Sequence, residues 1–294
     1  MELRLAKQED LERLKLIWKL CFGDEDRYID FYFNSRDWMK ETAVLLLDEG
    51  IVSMLSMIPV ELSAGNGLKH QAAMLYAIAT HPEFQKRGLA ERLMEFSSRY
   101  LMTKQIPATI LVPAEAELFE FYRNRGYQDG FSLREVLLNH EQIEDLIHRE
   151  PLLPCCVIPA ESHEYNTKRK ELLKGTCFVD YRDDEIDFQK KEAQLYGTDI
   201  FVIRQEEKTI GVATIEKYLD KVIVKELLIP DQSLISAIKE ISELIPGERY
   251  IVRTPPAFGN ALGGESRSFG MIKINPENNE LRDSIPSYLG IAYD

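Results

Sequence analysis

The sequence predicts a mixed α/β (α+β) protein built from two domains of related element order. Three observations carry this expectation. Short stretches in which apolar residues alternate or run together are bounded by turn residues, the mark of strands. Longer stretches repeat their apolar residues every three or four positions, the mark of amphipathic helices. Finally, a chain of 294 residues is long for one domain, and the series of elements in its first half partly recurs in its second.

Residues 2–6 alternate as a short strand. Leu11, Leu14, Trp18 and Cys21 form the stripe of a helix that Gly23 ends, and 28–33 suggest a second, short helix. Residues 42–47 are a strand, Asp48-Glu49-Gly50 a hairpin turn, and 51–62 the returning strand, closed by Ala64-Gly65-Asn66-Gly67. The next strand covers 68–80. A helix follows at 88–102 with Leu89, Leu93, Phe96 and Tyr100 on one face. Residues 108–112 read as a buried strand, 115–125 as a helix and 131–138 as a last strand.

Residues 139–175 are rich in Glu and Lys and carry Pro151, Pro154 and Pro159, which reads as a connector with one or two helices. A helix over 184–195 follows, then a strand at 200–204, a turn at 205–208, a hairpin of 209–217 and 222–229, a helix over 231–245 and a strand at 249–253. Three strands, a helix and a strand repeat the core series of 42–112. The expected division is a first domain of 1–138, a connector of 139–175 and a second α/β domain of 176–294. The stretch from Pro255 on is punctuated by glycine and reads as loop, and the apolar segment 288–293 reads as a docked strand.

Composition narrows the function. With 45% hydrophobic and 29% charged residues the chain is of the globular class, and no run of 18 apolar residues suits a membrane span. The net charge of −13, most of it contributed beyond residue 138, disfavours nucleic-acid and anionic membrane partners and suits a cationic amine. The cysteines at 21, 155, 156 and 177 have no C-x-x-C spacing and read as reduced thiols. The first residues enter a strand pattern instead of a signal peptide. The expected location is cytoplasmic, no metal is expected, and nothing in the sequence sets the oligomeric state.

The most informative stretch is Gln85-Lys86-Arg87-Gly88-Leu89-Ala90, between the apolar run 72–79 and the helix that starts at Gly88. A helix N-terminus presents unpaired N–H groups and a partial positive charge, so an anion settles there. Gly88 permits close approach, and Lys86 and Arg87 add charge. Neither G-x-x-x-x-G-K-[ST] nor G-x-G-x-x-G occurs. The loop resembles the phosphate loop of the GNAT acetyltransferases, Q/R-x-x-G-x-G/A. A second segment, Tyr122-Arg123-Asn124-Arg125-Gly126-Tyr127, resembles that family's Y-x-K/R-x-G-F/Y signature at a helix end.

The resemblance covers 1–138. It implies a GNAT fold whose mixed sheet splays between two central strands, with acetyl-CoA in the gap as acyl donor. It assigns the pyrophosphate to Gln85, Lys86, Arg87, Gly88, Leu89 and Ala90, the pantetheine and acetyl carbonyl to the strand edge Ile78, Ala79 and Thr80, and the general acid to Tyr122. The implied reaction is direct transfer of an acetyl group to a primary amine, either a small molecule or an amino-terminal or lysine amine, in a ternary complex. A catalytically silent CoA-binding sensor or assembly module is the alternative. The base stays open among Tyr76, His81, Glu61, Asp26, Glu25 and a water chain. The second half has Ile229-Pro230-Asp231-Gln232-Ser233 where the loop would be, with no glycine and a carboxylate suited to an N-cap, so it is expected to be a degenerate GNAT-like domain without donor. The layout is similar to tandem GNAT enzymes of the aminoglycoside-modifying kind. There the second domain walls the acceptor site and a terminal carboxylate can act as base, which makes Asp294 a further candidate.

Overall fold

The structure is a computed structural model that describes residues 1–48, 50–274 and 287–293. Glu49, at the centre of the expected hairpin turn, and Asp294, a candidate base, lie outside the described residues. The chain divides into two compact units. One gathers Met1–Glu61, His70–Gln128 and the strand end that starts at Met271. The other gathers Leu62–Lys69, Asp129–Gly270 and the described residues from Ser287 on.

The first unit opens with β1 (Glu2–Leu5), then α1 (Leu11–Phe22), α2 (Asp26–Ser35) and a single turn α3 (Trp38–Glu41) that the sequence pattern did not announce. Helix α1 stops because Gly23 takes φ of 74° and its N–H closes on the Lys19 carbonyl. Strands β2 (Thr42–Leu47), β3 (Gly50–Ser63) and β4 (Lys69–Thr80) follow, then α4 (Leu89–Thr103), β5 (Ala108–Leu111) and α5 (Ala116–Arg123). The sheet runs β1-β2-β3-β4-β5. Leu89, Leu93 and Leu101 of α4 close one face of it over Leu45, Val52, Leu55 and Leu75. Near α1 and α2 the packing is aromatic: the ring of Trp18 meets Tyr28, Tyr32, Phe33 and Tyr76 at centroid distances of 4.6–6.2 Å, and its indole N–H donates to Asp24 at 2.7 Å.

The second unit continues with β6 (Gln128–Asn139), α6 (His140–Arg149), β7 (Cys156–Pro159), α7 (Ser162–Leu172), β8 (Phe178–Asp180), α8 (Asp183–Leu195), β9 (Ile200–Gln205), β10 (Lys208–Tyr218), β11 (Lys221–Leu228), α9 (Asp231–Leu244), β12 (Arg249–Thr254) and β13 (Glu265–Ile274). Its sheet runs β6-β12-β11-β10-β9-β7. Strands β9, β10 and β11 are antiparallel neighbours, and α9 carries the chain to a parallel β12, which repeats the series of β2 to β5. Leu234, Ile238 and Ile241 of α9 pack with Val222, Val224 and Leu227 of β11.

Two placements differ from the sequence reading. Strand 131–138 pairs with β12 in the second unit, and β5 takes its antiparallel partner from 271–274, inside the stretch read as loop. Residues 139–175 form α6, α7 and the edge strand β7, which pairs with β9. Strand-forming tendency is local, whereas the choice of sheet partner depends on residues far away in sequence.

The second unit is closed by its own tail. Ser287 bridges Phe131 and Tyr288 bridges Phe178, after which 289–293 stay buried without forming a strand. Gly290 has φ of 72°, and a Cβ there would run into the Glu226 carboxylate. That carboxylate is fully buried. It accepts from Arg169 Nε at 2.9 Å and from the Tyr165 hydroxyl at 2.8 Å, and Arg169 also donates to the Val179 and Leu289 carbonyls. The Tyr293 hydroxyl donates to buried Glu185 at 2.6 Å.

Removing one member of a sealed ion pair strands the other charge, at a cost of about 3–5 kcal/mol. Glu226→Gln and Arg169→Met are each expected to destabilise the protein by that order in denaturant unfolding followed by circular dichroism. The combined change Arg169→Met with Glu226→Leu is expected to cost less than either alone. Additive losses would show that the pair is not coupled.

Candidate active site

The site begins where two parallel strands part. Pairing of β4 with β5 covers Ala72↔Ala108, Ala73↔Thr109 and Met74↔Ile110, and stops there. β5 ends at Leu111 while β4 runs on to Thr80. Ala77 has φ of 49°, a left-handed conformation rare outside glycine, so the strand kinks immediately before Ile78.

Side chains hold the end of β4. The buried Ser53 hydroxyl donates to the Ala79 carbonyl at 2.7 Å and lies 2.9 Å from the Thr80 hydroxyl. The Cys21 thiol donates to the Thr80 carbonyl at 3.2 Å, and Gln85 Nε2 donates to the same carbonyl at 3.0 Å. Neither Ser53 nor Cys21 was picked out from the sequence as a site residue. A serine between Ile51-Val52 and Met54-Leu55 was the available signal for Ser53, and the thiol had none.

Gln85 therefore secures the start of the loop. Lys86 and Gly88 both take left-handed φ, 62° and 72°, on either side of Arg87. A turn with such residues gathers successive N–H groups into an anion-binding concavity. Arg87 folds back, donating to the Glu83 carbonyl at 3.1 Å with its guanidinium over the Phe84 ring. Gly88 is the N-cap of α4, and the first helical bond there runs from Arg92 N–H to the Gly88 carbonyl. The amides of Leu89, Ala90 and Glu91 precede that bond, so they point out of the helix end. The Leu89 side chain is buried while residues 85–88 are exposed, so the turn is anchored on one side and open on the other. A Cβ on Gly88 would meet nothing within 4 Å, so the glycine serves the left-handed φ and the open approach, not packing.

Tyr122 lies one residue before the end of α5 and is buried, with its ring edge-on to Phe121 and Tyr127. Burial pushes its phenol up to about 12, and the Arg125 charge works against that rise. The third position of the helix-end signature is Asn124, so the cations are Arg123 and Arg125 on either side of it. The Arg125 guanidinium lies 3.5 Å over the Phe121 ring, donates to the Phe121 carbonyl at 2.7 Å and reaches Glu91 Oε2 at 3.2 Å.

The base candidates do not all gather here. Glu25 and Asp26 are exposed at the start of α2 and pair with Arg27 and Lys19, each at 2.7 Å. Glu61 lies about 25 Å along β3 from Ser53, which faces the end of β4. Tyr76 and His81 share the strand or its exit. The Tyr76 hydroxyl meets that of Tyr28 at 2.8 Å, and His81 Nδ1 accepts the Glu83 N–H at 3.4 Å. Among the described residues no group of acidic, histidine and cysteine side chains could hold a metal.

The corresponding helix start in the second unit is built differently. Its N-cap is Pro230, one residue before the Asp231 expected in that role. The Asp231 carboxylate instead accepts the Gly259 N–H at 3.1 Å from the loop that follows β12. A carboxylate and a packed loop stand where an anion would enter.

Known proteins share this fold. Residues 2–129 match the family model of the acetyltransferase (GNAT) domain. Among solved structures the chain is similar to the GCN5-related N-acetyltransferase from Anabaena variabilis ATCC 29413, with a TM-score of 0.74 at 16% identity over 93% of this chain and 72% of that one. It is similar to the GCN5-related N-acetyltransferase from Kribbella flavida, with a TM-score of 0.69 at 15% identity over 93% and 71%. Eis1 from Mycobacterium abscessus matches with a TM-score of 0.67 at 11% identity over 93% and 74%. Identities this low speak for the fold. The chain therefore has the GNAT fold, with the acetyltransferase (GNAT) domain model matched over residues 2–129 and a second GNAT-like sheet beyond it.

Proposed function

We propose that the protein is an N-acetyltransferase that takes acetyl-CoA as donor and a primary amine as acceptor. The observation that carries this reading is the open turn at the start of α4, with Gly88 left-handed and the amides of Leu89 and Ala90 ahead of the helical ladder. It supports a pyrophosphate site on the loop of Gln85 to Ala90. The free edge of β4 beyond Met74 supports binding of the pantetheine amides and acetyl carbonyl along Ile78, Ala79 and Thr80.

In the proposed reaction the neutral amine attacks the thioester carbon in a ternary complex. A C–N bond replaces the C–S bond, the thiolate leaves with the electron pair, and the nitrogen gives up a proton. Tyr122 is the group that protonates the thiolate: burial keeps its phenol neutral, the form that can donate. Tyr76 and His81 are the base candidates that share the strand with the thioester carbonyl. The amine is a small molecule or an amino-terminal or lysine amine, and the acidity of the chain suits a cation in either case. One donor per chain is expected, because the helix start of the second unit carries Asp231 and a packed loop.

Four outcomes test this. A panel of amines assayed for thiol release from acetyl-CoA should contain at least one that is turned over. Binding without turnover of any amine would favour a silent CoA-binding module. Gly88→Asp should weaken acetyl-CoA binding by roughly 10- to 100-fold in calorimetry, since a lost charge-assisted hydrogen bond costs about 1.5–3 kcal/mol. Gly88→Asn, which fits the left-handed backbone equally well, should lose much less. Tyr122→Phe should lower turnover by about 10²–10⁴-fold with donor affinity nearly unchanged. A pH jump read before unfolding should show the phenolate absorbance that Tyr122→Phe removes only near pH 12. The folded phenol is held above its ordinary 10.0, so its contribution to stability is intact below pH 10 and is lost as pH rises towards 12.

A further inference from the structure

We propose that Glu91 and Arg125 form a strut that sets the distance between the donor's pyrophosphate and its sulfur-protonating tyrosine, with Arg125 a positioning residue for Tyr122. This rests on the assignment of the α4 turn to pyrophosphate and of Tyr122 to the acid.

Glu91 is the third residue of α4, in the turn whose amides face the anion. Arg125 stands just beyond α5, three residues after Tyr122, and its N–H closes on the Tyr122 carbonyl at 2.9 Å. Its guanidinium is fixed from three sides: the Phe121 ring beneath it, the Phe121 carbonyl and the Glu91 carboxylate. Its Nε is buried with no partner among the described residues. The cation is thus committed to its own helix end on one side and to α4 on the other, where it spans the turn that binds phosphate and the turn that carries the phenol.

Two features separate this role from ordinary stabilisation. The Glu91 and Arg125 side chains are 46% and 21% exposed, and pairs of that kind add little to folding stability. A carboxylate in the first turn of α4 also repels a pyrophosphate bound there, unless a cation neutralises it. Arg125 supplies that cation. The pair therefore acts on donor affinity through charge and on tyrosine placement through geometry, and the two effects come apart in variants.

The test compares CoA with desulfo-CoA, which lacks the sulfur, by calorimetry at pH 9, on the full chain. In the wild type CoA should bind roughly tenfold or more tighter, because Tyr122 donates to the thiolate. Tyr122→Phe should abolish that ratio and leave desulfo-CoA affinity unchanged. Glu91→Gln should reduce the ratio severalfold without weakening desulfo-CoA. Arg125→Gln should reduce the ratio and weaken both ligands severalfold. The combination of the two should restore desulfo-CoA affinity but not the ratio. Melting temperatures should stay within a few degrees throughout. If Tyr122→Phe removes the ratio but Glu91→Gln and Arg125→Gln leave it intact, the strut is wrong and the acid assignment stands. If Tyr122→Phe leaves it intact, or the wild type binds neither ligand, the assignment on which the strut depends is itself overturned.

Discussion

The parallel pairing of β4 with β5 is confined to Ala72–Met74 and Ala108–Ile110, and the donor site proposed for the first unit depends on that brevity. Had the strands stayed bonded to their ends, the β5-facing amides and carbonyls of Ile78–Thr80 would be occupied, with no edge for an amide-bearing ligand to join. A freed strand end is costly to leave loose, because its polar groups need partners and its conformation needs fixing. The protein fixes it with side chains: Ser53 holds the Ala79 carbonyl, and Cys21 and Gln85 hold the Thr80 carbonyl.

The same economy shapes the loop. Gln85 ties the loop to the strand, and Leu89 sinks into the core below α4. Between these two anchors only three residues face solvent, and two of them, Lys86 and Gly88, are left-handed. Cations at such a site need not all point at the anion. Arg87 is turned back onto Phe84 and the Glu83 carbonyl, where it braces the loop, and Arg125 is committed to Glu91 and Phe121. The positive character at the helix end then comes chiefly from backbone amides, which keep their orientation better than long flexible side chains do.

The turn at Gln85 to Ala90 was legible in the sequence because a strand-to-helix turn is made of local backbone geometry, which calls for a small residue at one position. Apart from the single turn α3, the strands and helices of the first 125 residues were legible for a similar reason, since each buries one face and the apolar period reports it. Sheet partnership was not. Nothing in 131–138 or 271–274 says which of them lies beside β5, because both are short apolar stretches and the choice is settled by contacts between residues over a hundred positions apart. Glycines 263 and 264 just before β13, Gly270 inside it, and prolines 154 and 159 beside β7 concealed these strands, since turn-forming residues in or next to a short strand outweigh its apolar residues. Ser53 and Cys21 escaped notice because their partners lie 26 and 59 residues away. Asp231 was placed one position early, and its actual partner, the Gly259 amide, comes from a loop no local pattern could link to it.

The partner strand of β5 has a consequence for how the protein is made. The sheet that carries the Gln85–Ala90 turn is complete only when residues 271–274 have been made, long after β5 itself. Until then β5 is an edge with bare amides and carbonyls, open to pairing with another chain. A nascent or shortened polypeptide that stops after the first 138 residues would hold every residue of the proposed donor site and still lack a side of its sheet. Such a fragment is a poor surrogate for the whole, and crowding of unfinished chains on one messenger would expose edge to edge. The late strand makes the completeness of that sheet depend on synthesis having passed residue 274.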